Sequence, residues 1–346
     1  MRTSKRYKIG LFLLTVFLVN MVLSFLIEPA RGASDSMWKG YYNEEDIEIL
    51  FLGSSLSSAS FDPAVFEREF GVNAFNMGTP MQSIASNKRA LQVAVEEHDI
   101  QTVIIGIGFF VLQEEPFKDA ELTFEKELAR NTVGLKGLKR SLEYVLSDDV
   151  RDSEKSMNYW FPWTYNKENY MWDTIKRNVV SKCQMIIEGL QGKSQETFNG
   201  YRPANGLVNE ADGNSYDTYN QSFLETNIKD LEALLEFCNQ HKLDALVINT
   251  PHPEFDVKSC ESVYAEYDAT LREICNEYNV EYYDFSLAKD TIFKDDISFY
   301  HDFEHLNYKG SQVFSEVVCN FLKMRENGQD LAECFYTVEE YFEKMQ

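Results

Sequence analysis

The sequence predicts an α/β protein, a three-layer α/β/α sandwich around a five-stranded parallel sheet. Short, nearly continuous apolar runs alternate with longer stretches whose apolar residues recur at helical spacing. A strand that is apolar along its whole length is buried on both faces, as in a parallel sheet covered by helices. Five such strands indicate a flavodoxin-like sheet, whose functional crevice lies beyond the carboxyl ends of its strands.

The predicted elements follow from these two patterns in chain order. The strands are β-branched or aromatic runs, and they lie at 47–52, 72–77, 102–107, 245–249 and 280–285. The helices have one apolar face, and they lie at 82–97, 223–241, 262–278 and 308–323, the last of them closing the fold. Ser55, Gly78 and Gly108 follow the first three strands, so the sequence places them at one edge of the sheet.

The N-terminus carries the pattern of a membrane anchor. Arg2, Lys5, Arg6 and Lys8 precede an uncharged apolar run at 9–27, which is long enough to cross a bilayer as a helix. A secretory signal peptide has a shorter apolar region of ~7–15 residues, so an uncleaved anchor is favoured, although cleavage near 30–32 stays open. The basic flank predicts a single-pass protein of the cell membrane with its N-terminus in the cytoplasm and the rest of the chain, after about residue 28, outside.

The predicted domains are a tip and anchor at 1–33, an α/β domain at 34–112 and 221–346, and an inserted helical and loop subdomain at 113–220. The insertion lacks the strand–helix alternation. It contains an aromatic cluster, namely Tyr159, Trp160, Phe161, Trp163, Tyr165, Tyr170 and Trp172. Such a cluster is typical of packing, and next to an active site it would form a lid or a sugar-stacking wall.

Charge and cysteine spacing exclude two classes of function. The formal net charge of −23 would repel the phosphates of nucleic acid. The six cysteines include no C-x-x-C pair and no grouping with histidine, so we predict neither a metal site nor a cofactor. No disulfide is assigned from their positions.

Three residues have the chemistry of a nucleophilic triad. Ser55 stands at a tight strand-to-helix turn, where its hydroxyl and nearby backbone N–H groups would face the crevice, although a serine there also commonly caps a helix. Asp302 and His305 precede the last helix, and their spacing lets the carboxylate hold the imidazole while the other ring nitrogen faces the serine. His301 is a rival base beside Asp302, but the D-x-x-H spacing selects His305.

These motifs resemble those of the SGNH/GDSL hydrolase superfamily. Gly53-Ser54-Ser55 is similar to its nucleophile block, Asn76-Met77-Gly78 to its second block, and Asp302-Phe303-Glu304-His305 to its last block. The resemblance spans 47–108 and 244–323. Together with the anchor it points to the membrane-anchored branch, which includes the lipoteichoic-acid D-alanylation protein and SGNH-like partners of membrane-bound O-acyltransferases.

The third block departs from the family because 105–110 contains no asparagine to stabilise an oxyanion. The resemblance then leaves the backbone N–H groups of Ser55 and Gly78 as oxyanion donors, with Gln113 as a substitute side chain. Arg202 and His252 are further candidates for substrate contact, the first as a cation in a surface loop and the second at the end of the fourth strand.

The resemblance implies a serine acyltransferase or esterase that adds or removes O-acetyl or D-alanyl esters on a cell-envelope polysaccharide or teichoic acid. A membrane-bound O-acyltransferase is an expected partner. The alternative is a catalytically weak or inactive module that docks the polymer or that membrane enzyme, because one oxyanion donor is missing.

Overall fold

The computed structural model of the chain describes residues 2–28, 32–152, 159, 161, 163, 171–190, 200–201 and 222–345. The chain divides into two compact units, one of 1–36 with 125–196 and one of 37–124 with 197–346. The predicted domain boundaries follow a different partition, in which the N-terminal helix stands alone, and they stay a prediction. The helix is grouped with 125–196 because it packs against a helix of that segment.

Five parallel strands form the sheet, in the order β2-β1-β3-β4-β5. They are β1 Ile47–Gly53, β2 Asn73–Asn76, β3 Thr102–Ile107, β4 Asp244–Asn249 and β5 Glu281–Asp284. All five predicted strands are present, and the parallel five-stranded fold is confirmed. The central strands are buried on both faces, which is why they read as unbroken apolar runs.

Helices precede, separate and follow the strands in the described part of the chain. In chain order they are α1 Arg2–Ile27, α2 Ala33–Tyr41, α3 Ser55–Ser60, α4 Pro63–Phe70, α5 Ile84–Glu97, α6 Lys118–Asn131, α7 Gly134–Leu146, α8 Asp148–Asp152, α9 Trp172–Leu190, α10 Glu225–His241, α11 Glu254–Ser259, α12 Glu261–Glu277, α13 Tyr308–Glu326 and α14 Val338–Lys344. The helix at 308–323 is therefore not the last, because Thr337 and Glu340 form a capping box that starts α14.

Helices cover both faces of the sheet. Alternate strand residues such as Phe51 and Ile104 join a core with Phe61 and Phe314, which come from the end of α3 and from α13. On the other face α5 packs against α10. The remaining side chains of β1 and β3, which alternate with those of the first core, point to the layer of α5 and α10. The same sheet therefore contributes to the apolar layers on both of its faces.

In the other unit, α1 packs against α9. Lys182 donates to the carbonyl oxygens of Ser24 and Phe25, at 3.3 and 2.7 Å, and Asn178 donates to that of Ile27 at 3.1 Å. The Ser24 carbonyl also accepts from the Glu28 N–H, whereas the bonds to Phe25 and Ile27 satisfy carbonyls of the last turn of the helix. The apolar length of α1 is largely exposed, and by length and composition Lys5–Ile27 could cross a membrane.

Candidate active site

Ser55 lies at the carboxyl end of the interior strand β1, where the chain turns directly into α3. Gly53 closes the turn with a φ of 143°, and a Cβ there would collide with the carbonyl oxygen of Gly106 on β3. Ser54 caps the helix, its hydroxyl accepting from the N–H of Leu56. The capping role that the sequence left open thus belongs to Ser54, and the Ser55 hydroxyl is left for other contacts.

Asp302, His305 and Ser55 form one continuous chain of contacts. His305 Nε2 is 2.8 Å from Ser55 Oγ. His305 Nδ1 is 3.0 Å from both carboxylate oxygens of Asp302. The structure therefore brings the three predicted residues together in the order that a nucleophilic triad requires. The His301 backbone N–H donates to the carbonyl of His305, and its ring is not part of this chain.

The turn that carries Asp302 and His305 is held by Asp302 itself. Its Oδ1 accepts from the backbone N–H groups of Glu304 and His305, at 3.0 and 2.7 Å. Burial raises the pKa of the Asp302 carboxyl, but its bonds to His305 and to these N–H groups lower it to about 2. The Asp302 carboxylate therefore stays ionised throughout the neutral and mildly acidic range.

His305 is a base whose proton affinity is set by two opposing effects. Burial lowers the pKa of its imidazole, while the hydrogen bond with Asp302 and the charges of Glu304 and Asp302 raise it. The pKa ends above its ordinary value of 6.5. Near neutral pH the ring can therefore both accept and return a proton.

Glu304 is a site residue that the sequence analysis did not single out. Its Oε1 lies 3.6 Å from His305 Nδ1, and burial raises the pKa of its own carboxyl. Its position inside the D-x-x-H block is visible in the sequence, but the direction of its side chain depends on the conformation of the turn. Here the turn directs Asp302 and Glu304 toward the same ring.

Glu304→Gln is expected to lower the pKa of His305, because it removes a negative charge beside the imidazolium. The acid limb of the pH–rate profile should then move to lower pH by roughly half a unit. Glu115→Gln is the matched control, since Glu115 is not among the groups that shift the pKa of His305. Identical acid limbs for the wild type and Glu304→Gln would show that Glu304 has no influence on the base.

The backbone N–H of Gly78, which the sequence predicts as an oxyanion donor, has an internal partner in this structure. It donates to the side-chain oxygen of Asn76 at 2.9 Å, so this amide is already engaged and is not free for an oxyanion. A Cβ at Gly78 would come within 2.7 Å of the Ser54 carbonyl oxygen and 2.9 Å of the Ser58 nitrogen. Glycine is required because the second strand end packs directly on the nucleophile helix. The Ser55 N–H remains the predicted backbone donor.

Asn76 is a buried residue that ties β2 to the nucleophile helix. Its Nδ2 donates to the carbonyl oxygens of Ser57 and Phe61, at 2.9 and 3.0 Å, while its Oδ1 accepts from Gly78. The side chain is completely buried. It bonds the middle of α3 and the residue that follows its C-terminal end, and it thereby supports the helix that begins at Ser55.

Asn76→Ala is expected to destabilise the fold by about 2–3 kcal/mol, because it leaves buried backbone groups without a partner. It should also slow acylation of Ser55, since α3 loses its support. Asn73→Ala on the same strand is the control, because the Asn73 side chain is exposed and its amide donates a hydrogen bond to the Glu45 carbonyl. Thermal unfolding and the rate of Ser55 labelling check both effects, and equal behaviour of the two variants would contradict this role.

The other predicted substrate contacts do not gather at Ser55. His252 is buried, with Nδ1 2.9 Å from Asp256 Oδ2 and its ring 4.4 Å from that of Phe109, so it is an internal residue. Gln113 is also buried and is not one of the described residues that line the cavity beside Ser55. Arg202 lies outside the described residues, as do Trp160, Tyr165 and Tyr170 of the aromatic cluster.

A cavity of about 260 Å³ opens beside Ser54 and Ser55. It lies between α5, β3 and α10, and its walls are mainly apolar, with side chains of Ile84, Ile105, Ile107, Val111, Leu231 and Leu234. The charged residues that line it are Glu114, Glu115 and Glu304. Burial raises the pKa of Glu114. The cavity thus offers an apolar interior with carboxyl groups among its lining.

No protein-family model matches the sequence, and no curated protein sequence matches it. Among solved structures, it is similar to a psychrotrophic esterase from Pseudoalteromonas sp., with 11% identity over 82% of this chain and 100% of the esterase, at a TM-score of 0.36. A lipase/acylhydrolase from Enterococcus faecalis gives 12% identity over 81% of this chain and 96% of that protein, at a TM-score of 0.37.

Proposed function

We propose that the chain is a membrane-anchored serine esterase or acyltransferase that uses Ser55 as its nucleophile. The observation that carries this proposal is the contact series from Asp302 through His305 to Ser55, at distances of 2.8 and 3.0 Å. Residues 250 positions apart in sequence meet at the carboxyl end of an interior strand. That is where a parallel α/β sheet binds its ligands.

In the proposed reaction, Ser55 Oγ attacks the carbonyl carbon of an ester while His305 Nε2 takes the hydroxyl proton. The Ser55 backbone N–H, at the start of α3, is the predicted donor to the oxyanion. Collapse of the tetrahedral species breaks the bond to the leaving alcohol, to which His305 returns the proton. Asp302 orients the ring and stabilises its charged form. Water or a sugar hydroxyl then takes the acyl group by the same steps in reverse.

The cavity beside Ser55 supports an apolar acyl group as the part of the substrate nearest the nucleophile. Burial of acyl methylene groups against its aliphatic walls favours binding by about 0.8 kcal/mol of free energy for each group. The carboxyl groups of Glu114 and Glu304 would repel an anionic acyl group. Anchoring by α1 and the resemblance of the motifs support a cell-envelope polysaccharide or teichoic acid as acceptor and a membrane-bound O-acyltransferase as partner.

A fluorophosphonate probe tests the nucleophile directly. Full-length protein in detergent should form a covalent adduct at Ser55, located by peptide mass spectrometry, while Ser55→Ala should form none. Ser58→Ala is the matched control, because Ser58 lies in the same helix and its hydroxyl donates to the Ser55 carbonyl. A wild-type protein that stays unlabelled under conditions that label an ordinary serine esterase would overturn the proposal.

The second candidate is a binding module with little or no catalysis. Two observations favour it. The Gly78 N–H donates to the Asn76 side chain, and the third block contains no asparagine. Loss of one oxyanion donor costs about 10²–10³ in rate. If a strain that lacks the gene regained normal surface acylation with Ser55→Ala as fully as with the wild type, this second function would replace the first.

Val111→Phe is expected to shift the preferred substrate to shorter acyl chains. Val111 is half-buried and lines the cavity, so a larger ring would fill part of its volume with little strain on the core. Cleavage of p-nitrophenyl acetate should stay within about twofold of the wild type, while octanoate cleavage falls at least roughly tenfold. A proportional loss for every chain length would indicate that the acyl group does not enter this cavity.

A further inference from the structure

Helix α7 turns its apolar face to solvent. Leu135, Leu138, Leu142 and Leu146 recur every three to four residues, and their exposed fractions are 85%, 58%, 48% and 66%. Val133, just before the helix, is also exposed. A surface helix of a soluble domain buries such a stripe against the core. We call these four leucines the leucine stripe.

The opposite face of α7 is the buried one, and it holds Gly137, Arg140 and Tyr144. Arg140 donates to Thr132 Oγ1 at 2.8 Å, and the ring of Tyr144 packs on that of Tyr159 at 5.4 Å. A Cβ at Gly137 would collide with the carbonyl oxygen of Thr132. These contacts fix the rotation of the helix about its axis, so the outward direction of the leucine stripe follows from packing.

We propose that α7 is an interfacial helix whose leucine stripe lies in the surface of a lipid bilayer. Such a helix buries its apolar face ~5–10 Å into the boundary between head groups and acyl chains. Lys136 and Lys139, at the edge of the stripe, would then lie at the level of the lipid phosphates. This surface is separate from the chemistry at Ser55 but rests on the anchoring part of the proposed function.

Continuity with α1 supports a bilayer as the occupant. The two helices belong to the same compact unit. Trp163 Nε1 donates to Asn20 Oδ1 of α1 at 2.9 Å, and Phe161 packs against Trp163 beside the same helix. Tyr159 contacts Ser141 and Tyr144 of α7. The residues next to the exposed apolar helix α1 are therefore close in sequence to those that hold α7.

Charge favours lipid over a second copy of the chain. The whole chain has a net charge of −23, yet the exposed charged residues of α7 are Lys136, Lys139 and Glu143. Lys139 pairs with Glu143 at 3.6 Å, which leaves the exposed side of the helix with a net positive charge from Lys136. Anionic head groups attract such a segment. Two copies packed stripe to stripe would instead bring the lysines of both helices together, which is unfavourable.

The test uses full-length protein in vesicles of phosphatidylcholine and phosphatidylglycerol, with Cys183→Ser removing the exposed thiol. Single cysteines replace Leu138 and Leu142 in the stripe, Leu18 in α1, and exposed Lys258 in the other unit as control, and each carries an environment-sensitive dye. We expect dyes at 138, 142 and 18 to be quenched by doxyl lipids at least roughly twofold more than by iodide, and the dye at 258 to show the reverse.

Iodide quenching at 138 and 142, with lipid quenching at 18, would overturn the interfacial helix and leave the anchor intact. Iodide quenching at all four positions would overturn both. Dyes at 138 and 142 that neither quencher reaches would show that protein covers the stripe, which also overturns the inference. Lys136→Glu with Lys139→Glu should weaken lipid quenching at 142 in anionic vesicles, and an unchanged signal would overturn the electrostatic contribution.

Discussion

Replacing His305 with alanine is expected to lower the rate of ester cleavage by about 10⁵–10⁶. The imidazole is the group within hydrogen-bonding distance of Ser55 Oγ that can take its proton, at 2.8 Å. Without it the hydroxyl must attack in its weakly nucleophilic protonated form. The measurement is kcat for a soluble p-nitrophenyl ester, with full-length protein in detergent, and the loss should appear in kcat more than in KM.

His301→Ala is the matched control for this experiment. His301 lies four residues earlier in the same turn, and its backbone N–H donates to the His305 carbonyl at 2.8 Å, a bond that survives loss of the His301 ring. Its removal should leave kcat within about tenfold of the wild type. A larger loss of kcat from His301→Ala than from His305→Ala would identify His301 as the base and overturn the proposed triad.

Asp302→Asn is expected to lower kcat by about 10⁴, the loss seen when an amide replaces the carboxylate that orients a catalytic histidine. The amide no longer stabilises the imidazolium, and when it donates to Nδ1 it favours the tautomer with its proton on Nε2. That tautomer cannot accept the proton of Ser55. The measurement is the full pH–rate profile of both proteins.

The direction of the pH effect follows from the two pKa shifts. Activity requires neutral His305, so it falls as pH drops through the raised pKa of the imidazole. Asp302 stays ionised until pH approaches about 2 and adds no limb in the working range. In Asp302→Asn the pKa of His305 should fall, moving the acid limb to lower pH. A limb that stays in place would show that Asp302 does not interact with the working base.

The same carboxylate links stability to pH. The pKa of Asp302 is lower in the folded protein than the ordinary 3.8, so its contribution to the free energy of unfolding is complete above about pH 4. The contribution is lost as pH falls toward about 2. His305 acts in the opposite direction, because its raised pKa gives stability below 6.5 that is lost as pH rises through the folded value.

The number of groups that can donate to the proposed oxyanion affects the expected rate of the wild-type protein. The N–H of Gly78 is bonded to Asn76, and the third strand end supplies no asparagine. A slow wild type and a labelled Ser55 are therefore compatible, because one phosphonylation event per molecule is enough for labelling, whereas turnover repeats acylation and deacylation and needs oxyanion stabilisation in each. Comparison of each variant with the wild type separates the two quantities.

The sequence alone determined the five parallel strands and the turn that carries Ser55. Apolar runs and helical periodicity are local properties, and the carboxyl ends of parallel strands meet at one edge. Ser55, at one end of the chain, and the Asp302–His305 turn, at the other, could therefore be assigned to the same crevice. The spacing of three residues was enough to indicate which histidine faces the serine.

Only the tertiary structure decided what each group contacts. The Gly78 N–H donates to Asn76, Glu304 lies beside the His305 ring, and the His252 ring contacts Asp256. In each case packing selects one partner among several that the sequence allows. The leucines of α7 illustrate the same limit. Periodicity shows that they share a face, but the direction of that face depends on the contacts of Arg140 and Tyr144 on the other side.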